Sequence, residues 1–215
     1  AINKYNMRSN HSERVNAKNL IYSDTVETGR MYMTSTSEQS NFNNNTFGTA
    51  LSFSDTVLLE SIETYTYSSS GTKTLKPVVM EDGVFVNLCE NEKTITRTTS
   101  NSWSYDVLAL EKPIVLEKGK TYLIGYEGMA TGGTGYWQCG NIATNPQVFS
   151  GTIDGTTKNV NITTMNKFGN ATGSAGYGIF YIPVSNKPYT DINWVHYGSR
   201  QGLRTNLGFK LIEEV

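Results

Sequence analysis

The sequence predicts an all-β fold built as an antiparallel β-sandwich, and three observations support this prediction. Short apolar runs recur at roughly ten-residue intervals from Thr46 onward, with Gly, Asn, Asp or Ser between them. No segment shows a convincing helical spacing of apolar residues. Only 17% of the residues are charged, whereas Gly, Ser, Thr, Asn and Tyr are abundant, a balance typical of exported or virion β-proteins.

The beginning of the chain predicts an arm followed by a hairpin. Residues 1–18 are polar and aperiodic, which is typical of an N-terminal arm or linker. Residues 19–26 and 30–36 are two β-rich runs, and Glu27-Thr28-Gly29 between them has the size of a hairpin connection. Residues 37–45, SEQSNFNNN, are predicted to form a loop. Because no sharp change in composition follows, residues 19–215 are predicted to form a single domain.

The middle of the chain predicts a series of strands separated by turns. Their ranges are residues 47–53, 57–67, 74–80, 84–89, 93–98, 105–110 and 121–126. The Asp82-Gly83 pair favours a tight turn, so the strands before and after it are predicted to form a hairpin.

Pro113 and the residues around Leu123 indicate whether the strands that contain them lie at the edge or at the centre of a sheet. Pro113 cannot donate to a ladder, so it ends pairing unless its strand lies at a sheet edge. In the next strand Tyr122 and Ile124 share one face and Leu123 lies on the other. Apolar residues on both faces predict a central strand that is covered on both sides.

The last third of the chain is richer in glycine. Residues 128–135 and 169–178 are predicted to be glycine-rich loops. Three further strands are predicted at residues 160–165, 177–184 and 206–212. Trp194 and Tyr197 lie in a long connection before the last of these strands.

The bulk composition argues against several function classes. A formal net charge of -1 gives no reason to expect nucleic-acid binding, which needs a clustered positive surface. No apolar run is long enough to cross a bilayer, and no signal peptide is visible at the start. Cys89 and Cys139 have no metal-binding partners nearby in the sequence, and two buried free thiols are favoured over a disulfide without excluding it.

Catalytic chemistry finds little support in the sequence. Glu60 and Glu63 are the tempting carboxylate pair for a glycoside hydrolase, but their odd spacing in a strand predicts opposite faces. His196 has Asp191 and Ser199 nearby, but neither a nucleophile elbow nor an oxyanion motif accompanies it. No spacing of metal ligands stands out. The chain is therefore predicted not to be an enzyme and to need no cofactor; no metal ligand is assigned, and a structural calcium stays open.

Aromatic residues, 11% of the chain, are the candidates for ligand binding. Flat rings that pack on the apolar faces of sugars are the usual means by which a neutral protein holds a neutral glycan, with amides fixing the hydroxyl groups. If Trp137 and Cys139 are buried on one face of a strand, Tyr136 and Gln138 face outward on the other. The predicted ligand-binding residues are Trp103, in the loop NSWS, Tyr136, Gln138, Trp194 and Tyr197. Tyr and Trp also suit strands and cores, so both roles stay open.

Residues 58–137 resemble small jelly-roll modules found on secreted and surface proteins of bacteria. The matching segments are LLESIETYTY, LKPVVMEDGVFVNL, WSYDVLALEKPIVLEKG, KTYLIGYEG and YWQCGN. Such modules are similar to carbohydrate-binding domains, and related sandwiches occur in phage tail fibres and baseplates. The resemblance implies a jelly-roll-like sandwich.

These observations lead to one expected function and two alternatives. The expected function is a non-catalytic module, extracellular, at the cell surface or on a virion, that binds a glycan or a cell-surface receptor through exposed aromatic residues. The first alternative is a structural subunit of a phage tail, baseplate or capsid decoration that assembles with itself as a homo-oligomer or with other virion or surface proteins. The second is a glycan-active hydrolase. Nucleic acid and membrane insertion are not expected.

Overall fold

A computed structural model of the chain describes residues 20–22, 27–30, 38–41, 45–68, 72–89, 93–96, 102–131, 135–141, 147–153, 155–170, 194–199, 201–203 and 205–214. Throughout these residues the protein is all-β, with two antiparallel sheets of which one is a curled half-barrel. The same residues contain no helix of the length and apolarity that crossing a bilayer requires. The predicted all-β sandwich class is confirmed.

The described residues form fifteen strands. They are β1 (Leu20–Tyr22), β2 (Glu27–Arg30), β3 (Glu38–Asn41), β4 (Asn45–Phe53), β5 (Val57–Ser68), β6 (Thr72–Glu81), β7 (Lys93–Thr96), β8 (Ser102–Leu116), β9 (Thr121–Thr131), β10 (Gly135–Asn141), β11 (Gln147–Ile153), β12 (Thr156–Asn170), β13 (Trp194–Ser199), β14 (Gln201–Leu203) and β15 (Thr205–Glu214).

The strands divide between the two sheets. Within the described residues, eight strands form a sheet in which β5 pairs with β8 on one side and with β15 and β10 on the other. Strands β1 and β2 pair with β15, whereas β3 and β14 pair with β10. The other seven described strands follow the order β11-β12-β4-β9-β6-β7, and β13 pairs with β12.

The main hydrophobic core draws apolar side chains from both sheets. The seven-stranded sheet contributes Phe53 and Tyr126, while the eight-stranded sheet contributes Leu59 and Phe209. These four side chains are at most 1% exposed. Burial of large apolar side chains from two facing layers supplies most of the driving force for such a fold.

Strand β9 is the central strand that the sequence predicts. It pairs with β4 on one side and with β6 on the other. Tyr122 and Ile124 belong to the main core, whereas Leu123 belongs to a second buried cluster on the opposite face. That second cluster consists of Ala50, Val78, Met80 and Leu123, with Phe85 packed against it.

A large bulge interrupts the pairing of β5 with β8. Leu59 lies opposite Ile114, but Ser61 lies opposite Ala109, so four residues of β8 face one residue of β5. Pro113 belongs to this bulge and therefore does not end the strand, because no ladder bond is required of it there. Within the described residues β8 pairs with β5 alone, as expected of an edge strand that contains proline.

The predicted hairpin around Asp82-Gly83 is only half correct. The turn exists, with Gly83 at a φ of +86° and Val84 N–H donating to the Glu81 carbonyl. However, the returning residues 84–89 do not form a strand. Phe85 adopts a φ of +53°, which takes the chain out of the extended conformation.

The side chain of Asn87 makes hydrogen bonds to β6 in place of some of those that a strand at residues 84–89 would make with its backbone. Its Oδ1 accepts hydrogen bonds from the backbone N–H groups of Val79 and Cys89, each at 3.1 Å. Its Nδ2 donates to the Pro77 carbonyl at 3.2 Å. One backbone bond remains, from Leu88 N–H to the Val79 carbonyl at 2.8 Å. An amide side chain can do this because it carries both a donor and an acceptor.

Several local predictions from the sequence are wrong. Glu27-Thr28-Gly29 is not a turn but part of β2, and residues 38–41 of the predicted loop form β3. Both segments gain their hydrogen bonds from distant strands, β15 and β10, which override weak local preferences. Similarly, β9 continues through Thr131 into the predicted glycine-rich loop.

The other strand predictions divide into two groups. The predicted strands at residues 47–53, 57–67, 74–80, 93–98, 105–110, 121–126, 160–165 and 206–212 correspond to observed strands. The predicted strand at 177–184 and the arm at 1–18 lie outside the described residues.

Cys89 is a buried free thiol in the main core. Burial raises its pKa to about 12. An unfolded thiol ionises near a pH of about 8.5, so the contribution of Cys89 to the free energy of unfolding is constant below that pH and falls as the pH rises toward 12.

In a Cys139→Ser variant, where Cys89 is the remaining thiol, we expect iodoacetamide to leave the folded protein unmodified at pH 8.5 and to alkylate it in 6 M guanidinium. Mass spectrometry reports the adduct. Rapid alkylation of the folded protein would show that Cys89 is not buried as described.

Candidate functional site

Four aromatic side chains lie together on the outer face of β5 and β8. Tyr65 lies opposite Tyr105 and Tyr67 lies opposite Trp103 in the antiparallel register. All four are half-buried, so a part of each remains open to solvent. These residues are called the aromatic cluster below.

The alternation of side chains along the two strands places these rings outward. In β5 the sequence Thr64-Tyr65-Thr66-Tyr67 puts both threonines, each 0% exposed, on the inner face. In β8 Ser104 has the same inner position between the two aromatic residues. This is the inverse of the usual arrangement, in which rings are buried and hydroxyl groups are exposed.

The inner polar groups are mostly satisfied by hydrogen bonds. Thr66 Oγ1 donates to Asp106 Oδ2 at 3.0 Å, and Thr64 Oγ1 donates to the Asp106 carbonyl at 3.3 Å. Ser104 Oγ is buried and has no hydrogen-bond partner among the described residues. Burying hydroxyls costs free energy that outward-facing threonines would not incur, so core packing alone does not explain why the rings face outward.

The four rings form a continuous chain of contacts. Tyr65 and Trp103 are stacked, with ring centroids 5.3 Å apart and an interplanar angle of 15°. Tyr65 also contacts Tyr105 at 4.6 Å, and Tyr67 contacts Trp103 at 5.7 Å, both in tilted arrangements near 45°. Such contacts hold each ring in one orientation, so little conformational entropy is lost when a ligand packs on the cluster.

The surface beside the aromatic cluster combines apolar and acidic groups. Val107 on β8 is 45% exposed, and it lies opposite Glu63 of β5 on the same outer face. Ala109 is also exposed on this face. An apolar surface with a carboxylate beside it can pack against one face of a ligand and accept a hydrogen bond from its edge.

Two of the five predicted binding residues occupy neighbouring positions in the eight-stranded sheet. Trp103 is part of the aromatic cluster, although it lies in β8 rather than in the predicted loop. Tyr136 lies opposite Tyr67 in the pairing of β10 with β5. A single row of the sheet therefore runs from Trp103 through Tyr67 to Tyr136. Gln138 lies two residues farther along β10, opposite Gln39 of β3.

The other two predicted binding residues belong to the other sheet. Trp194 and Tyr197 lie in β13, which pairs with β12, rather than in a long connection. Their register partners are Asn170 and Lys167. The backbone thus assigns the five residues to two different sheets, and their role in binding stays a prediction.

Sequence reasoning missed Tyr65, Tyr67 and Tyr105. The signal that could have found them is the alternation of hydroxyl and aromatic residues in TYTY and in SWSY. Because the alternation has a period of two, it places all rings of one strand on the same face. The pairing of β5 with β8 puts the rings of both strands on the same outer face of the sheet. This pairing cannot be derived from the sequence alone.

The prediction that Glu60 and Glu63 lie on opposite faces is wrong. In the pairing of β5 with β15, Leu59 lies opposite Phe209 and Ser61 lies opposite Gly208, so Glu60 is an extra residue of β5, and such a bulge shifts the alternation by one position. Glu63 lies outward between the buried residues Ile62 and Thr64, and Glu60 also reaches the outer face, where it pairs with Lys210 at 3.8 Å.

Other chemistry would need clustered metal ligands or a catalytic base near a nucleophile. Within that part of the chain, no group of three or more His, Cys, Asp and Glu side chains could hold a metal ion. The predicted Asp191 lies outside the described residues, and His196 and Ser199 lie in β13. The aromatic cluster is the candidate ligand-binding site. Comparison of the sequence with protein-family models and with curated proteins gives no match.

Proposed function

We propose that this protein is a non-catalytic β-sandwich module that works outside the cytosol or on a virion and binds a glycan on the aromatic cluster. The observation that carries this proposal is the inverted alternation of β5 and β8, which leaves Tyr65, Tyr67, Trp103 and Tyr105 half-buried on the outer face and buries Thr64 and Thr66. Exposed rings on a sheet face lose apolar hydration when a ligand covers them.

The chemistry of a sugar ring matches this surface. The axial C–H groups of a pyranose form an apolar face that packs on an aromatic ring, while the hydroxyl groups at its edge need donors and acceptors. Tyrosine hydroxyls and Glu63 provide such groups beside the rings. A formal net charge of -1 suits a neutral ligand better than a polyanion.

Replacing Trp103 by Ala is expected to weaken glycan binding by about tenfold or more, because hot-spot aromatic residues carry most of the affinity at such surfaces. A glycan array identifies a bound sugar, and isothermal titration calorimetry gives its Kd for each variant. Trp103→Phe keeps a ring against Tyr65 and is expected to retain more of the affinity.

The matched control for this experiment is Val148→Ala. Val148 is 56% exposed on β11, in the other sheet, so its replacement should leave both affinity and stability unchanged. Circular dichroism and thermal unfolding check that each variant is folded. The proposal fails if the wild-type chain binds no sugar, or if folded Trp103→Ala binds as well as the wild-type protein.

A self-assembling structural subunit is the second candidate function. The outer face of β8 carries two further exposed apolar side chains, Val107 at 45% and Val115 at 42% exposure, which extend the apolar surface along the strand. A symmetric contact between copies would cover this surface. Analytical ultracentrifugation distinguishes the candidates: a Val107→Lys variant should dissociate an oligomer formed here, whereas a monomeric wild-type protein contradicts this candidate.

A further inference from the structure

Two tyrosines of the aromatic cluster face each other across the pairing of β5 with β8. Tyr65 and Tyr105 are directly opposite in the antiparallel register. Their ring centroids are 4.6 Å apart, and the ring planes are inclined at 45°. This is direct contact between two phenol rings. It brings together two identical groups that share one reaction, the oxidative formation of a carbon–carbon bond between their rings.

Both rings are accessible to a small oxidant. Tyr65 and Tyr105 are half-buried on the outer face of the sheet, so each keeps a part open to solvent. Tyr122 and Tyr126, by contrast, are 2% and 1% exposed. Oxidation of a side chain in a folded protein follows its exposure. Among these four tyrosines, an oxidant in solution therefore reacts first with the pair on the outer face.

The neighbouring rings enlarge the area from which oxidation reaches the pair. Trp103 is stacked on Tyr65 with ring centroids 5.3 Å apart, and Tyr67 contacts Trp103 at 5.7 Å. Electrons pass readily between aromatic rings in contact. A radical formed on Trp103 or Tyr67 can therefore be transferred to Tyr65, which lies beside Tyr105.

The contact lies where a covalent bond has a structural effect. Within the described residues β8 pairs with β5 alone, and the bulge at Glu60 separates residues 102–109 of β8 from residues 114–116. The tyrosine pair lies in the first of these two segments. A bond between the rings closes a loop of the chain between residues 65 and 105, which lowers the conformational entropy of the unfolded state.

We propose that Tyr65 and Tyr105 are a modification site, at which a one-electron oxidant such as a peroxidase supplied with hydrogen peroxide forms a dityrosine bond that fastens β8 to β5. The oxidant removes one electron from each phenol, and each phenolic proton goes to water. The two radicals couple through the carbons ortho to their hydroxyl groups, and the hydrogen on each of these carbons moves to the phenolic oxygen as a proton. One molecule of hydrogen peroxide accepts the two electrons and two protons and becomes two molecules of water.

The test oxidises the full chain with photochemically generated tris(bipyridine)ruthenium(III), a one-electron oxidant small enough to reach half-buried rings. The monomer is isolated under denaturing conditions and digested with trypsin. Peptide 98–118 contains Tyr105 as its only tyrosine, and Tyr65 lies in peptide 31–73. The expected product is these two peptides joined, with a mass lower than their sum by two hydrogen atoms and with the fluorescence of dityrosine.

Two matched variants locate the bond. Tyr65→Phe keeps a ring against Tyr105 but removes the hydroxyl group that the coupling needs, so the joined peptides should disappear. Tyr67→Phe is the control, because Tyr67 is also half-buried on β5 but lies opposite Trp103, and this variant should retain the joined peptides. Circular dichroism confirms folding of both variants before oxidation.

Thermal unfolding measures the effect of the bond on stability. Oxidation should raise the Tm of the wild-type monomer by about 5 °C relative to Tyr65→Phe treated in the same way, because the wild-type chain alone acquires the bond. The Tm of each protein before oxidation serves as its own reference.

Three results would overturn the proposal. The first is the absence of the joined peptides from the oxidised wild-type monomer, or their formation in covalent dimers only. The second is an undiminished yield of the joined peptides from Tyr65→Phe. The third is an oxidised wild-type monomer that gains no thermal stability relative to Tyr65→Phe. None of these results depends on glycan binding, which is measured on the unoxidised protein.

Discussion

Replacing Asn87 by Ala is expected to lower the free energy of unfolding by about 3 kcal/mol. The substitution removes three hydrogen bonds to backbone groups, and two of them satisfy the N–H groups of Val79 and Cys89. Val79 is 0% exposed, so water cannot replace the lost acceptor without a rearrangement. Urea unfolding followed by circular dichroism measures the loss.

Two control variants separate the hydrogen bonds of Asn87 from loss of side-chain volume. Asn87→Asp keeps the volume and the Oδ1 acceptor but sets a carboxylate oxygen against the Pro77 carbonyl, so it too is expected to lower the free energy of unfolding, with no loss of side-chain volume. Leu88→Ala shortens a neighbouring side chain that is 45% exposed and should cost little. If Asn87→Ala lowers the free energy of unfolding by no more than Leu88→Ala does, the hydrogen bonds of the Asn87 side chain do not stabilise this segment as described.

Replacing Gly48 by Ala is also expected to cost about 3 kcal/mol, because it inserts a methyl group where none fits. A Cβ atom at this position would lie 2.7 Å from the carbonyl oxygen of Ile124 and 2.9 Å from its carbon. Those atoms belong to the backbone of β9, which is paired on both sides and cannot move aside without disturbing two ladders.

Gly155→Ala provides the comparison for this prediction. Gly155 has a φ of +75°, and nothing lies within 4 Å of its Cβ position, so the substitution brings backbone strain of about 1 kcal/mol without a clash. Thermal and urea unfolding of both variants should therefore rank Gly48→Ala as the less stable. The reverse order would contradict the close approach of β4 and β9.

The sequence predicts the centre of the fold well because its local pattern and its environment agree. Strand β9 has apolar residues on both faces, and both faces are buried. The Asp82-Gly83 turn and the strands of the Thr46–Tyr126 region follow from residue types whose preferences are local. Here the nearest neighbours in sequence are sufficient to decide the conformation.

The predictions fail where distant residues decide the conformation. Glu27-Thr28-Gly29 has the composition of a turn, but its hydrogen bonds come from Leu207–Phe209 of β15, far along the chain. The returning segment after Gly83 has the β-branched residues of a strand, but Asn87 bonds to β6 through its side chain instead. Neither partner is visible in a short window of sequence.

The candidate site is partly predictable for the same reason. The sequence predicts Trp103 as a ligand-binding residue; the structure places it half-buried beside three tyrosines, and its role in binding stays a prediction. Whether Tyr65 and Tyr67 face outward depends on the change of alternation at Glu60, which is an extra residue of β5 relative to β15. Such a bulge follows from the pairing of strands that are far apart in the sequence, which alternation within one strand does not reveal.

The bulge between β5 and β8 gives this surface an unusual sensitivity to chain length. Val57 and Leu59 point into the core at odd-numbered positions, whereas Ile62, Thr64 and Thr66 do so at even-numbered ones. The change of parity occurs at Glu60 and Ser61, where the ladder slips. With unbroken parity from Leu59, the tyrosines would enter the core and the threonines would face the solvent. One inserted residue between Ser61 and Tyr65 would therefore turn Tyr65 and Tyr67 inward and Thr66 outward, while Trp103 and Tyr105 of β8 would stay on the outer face.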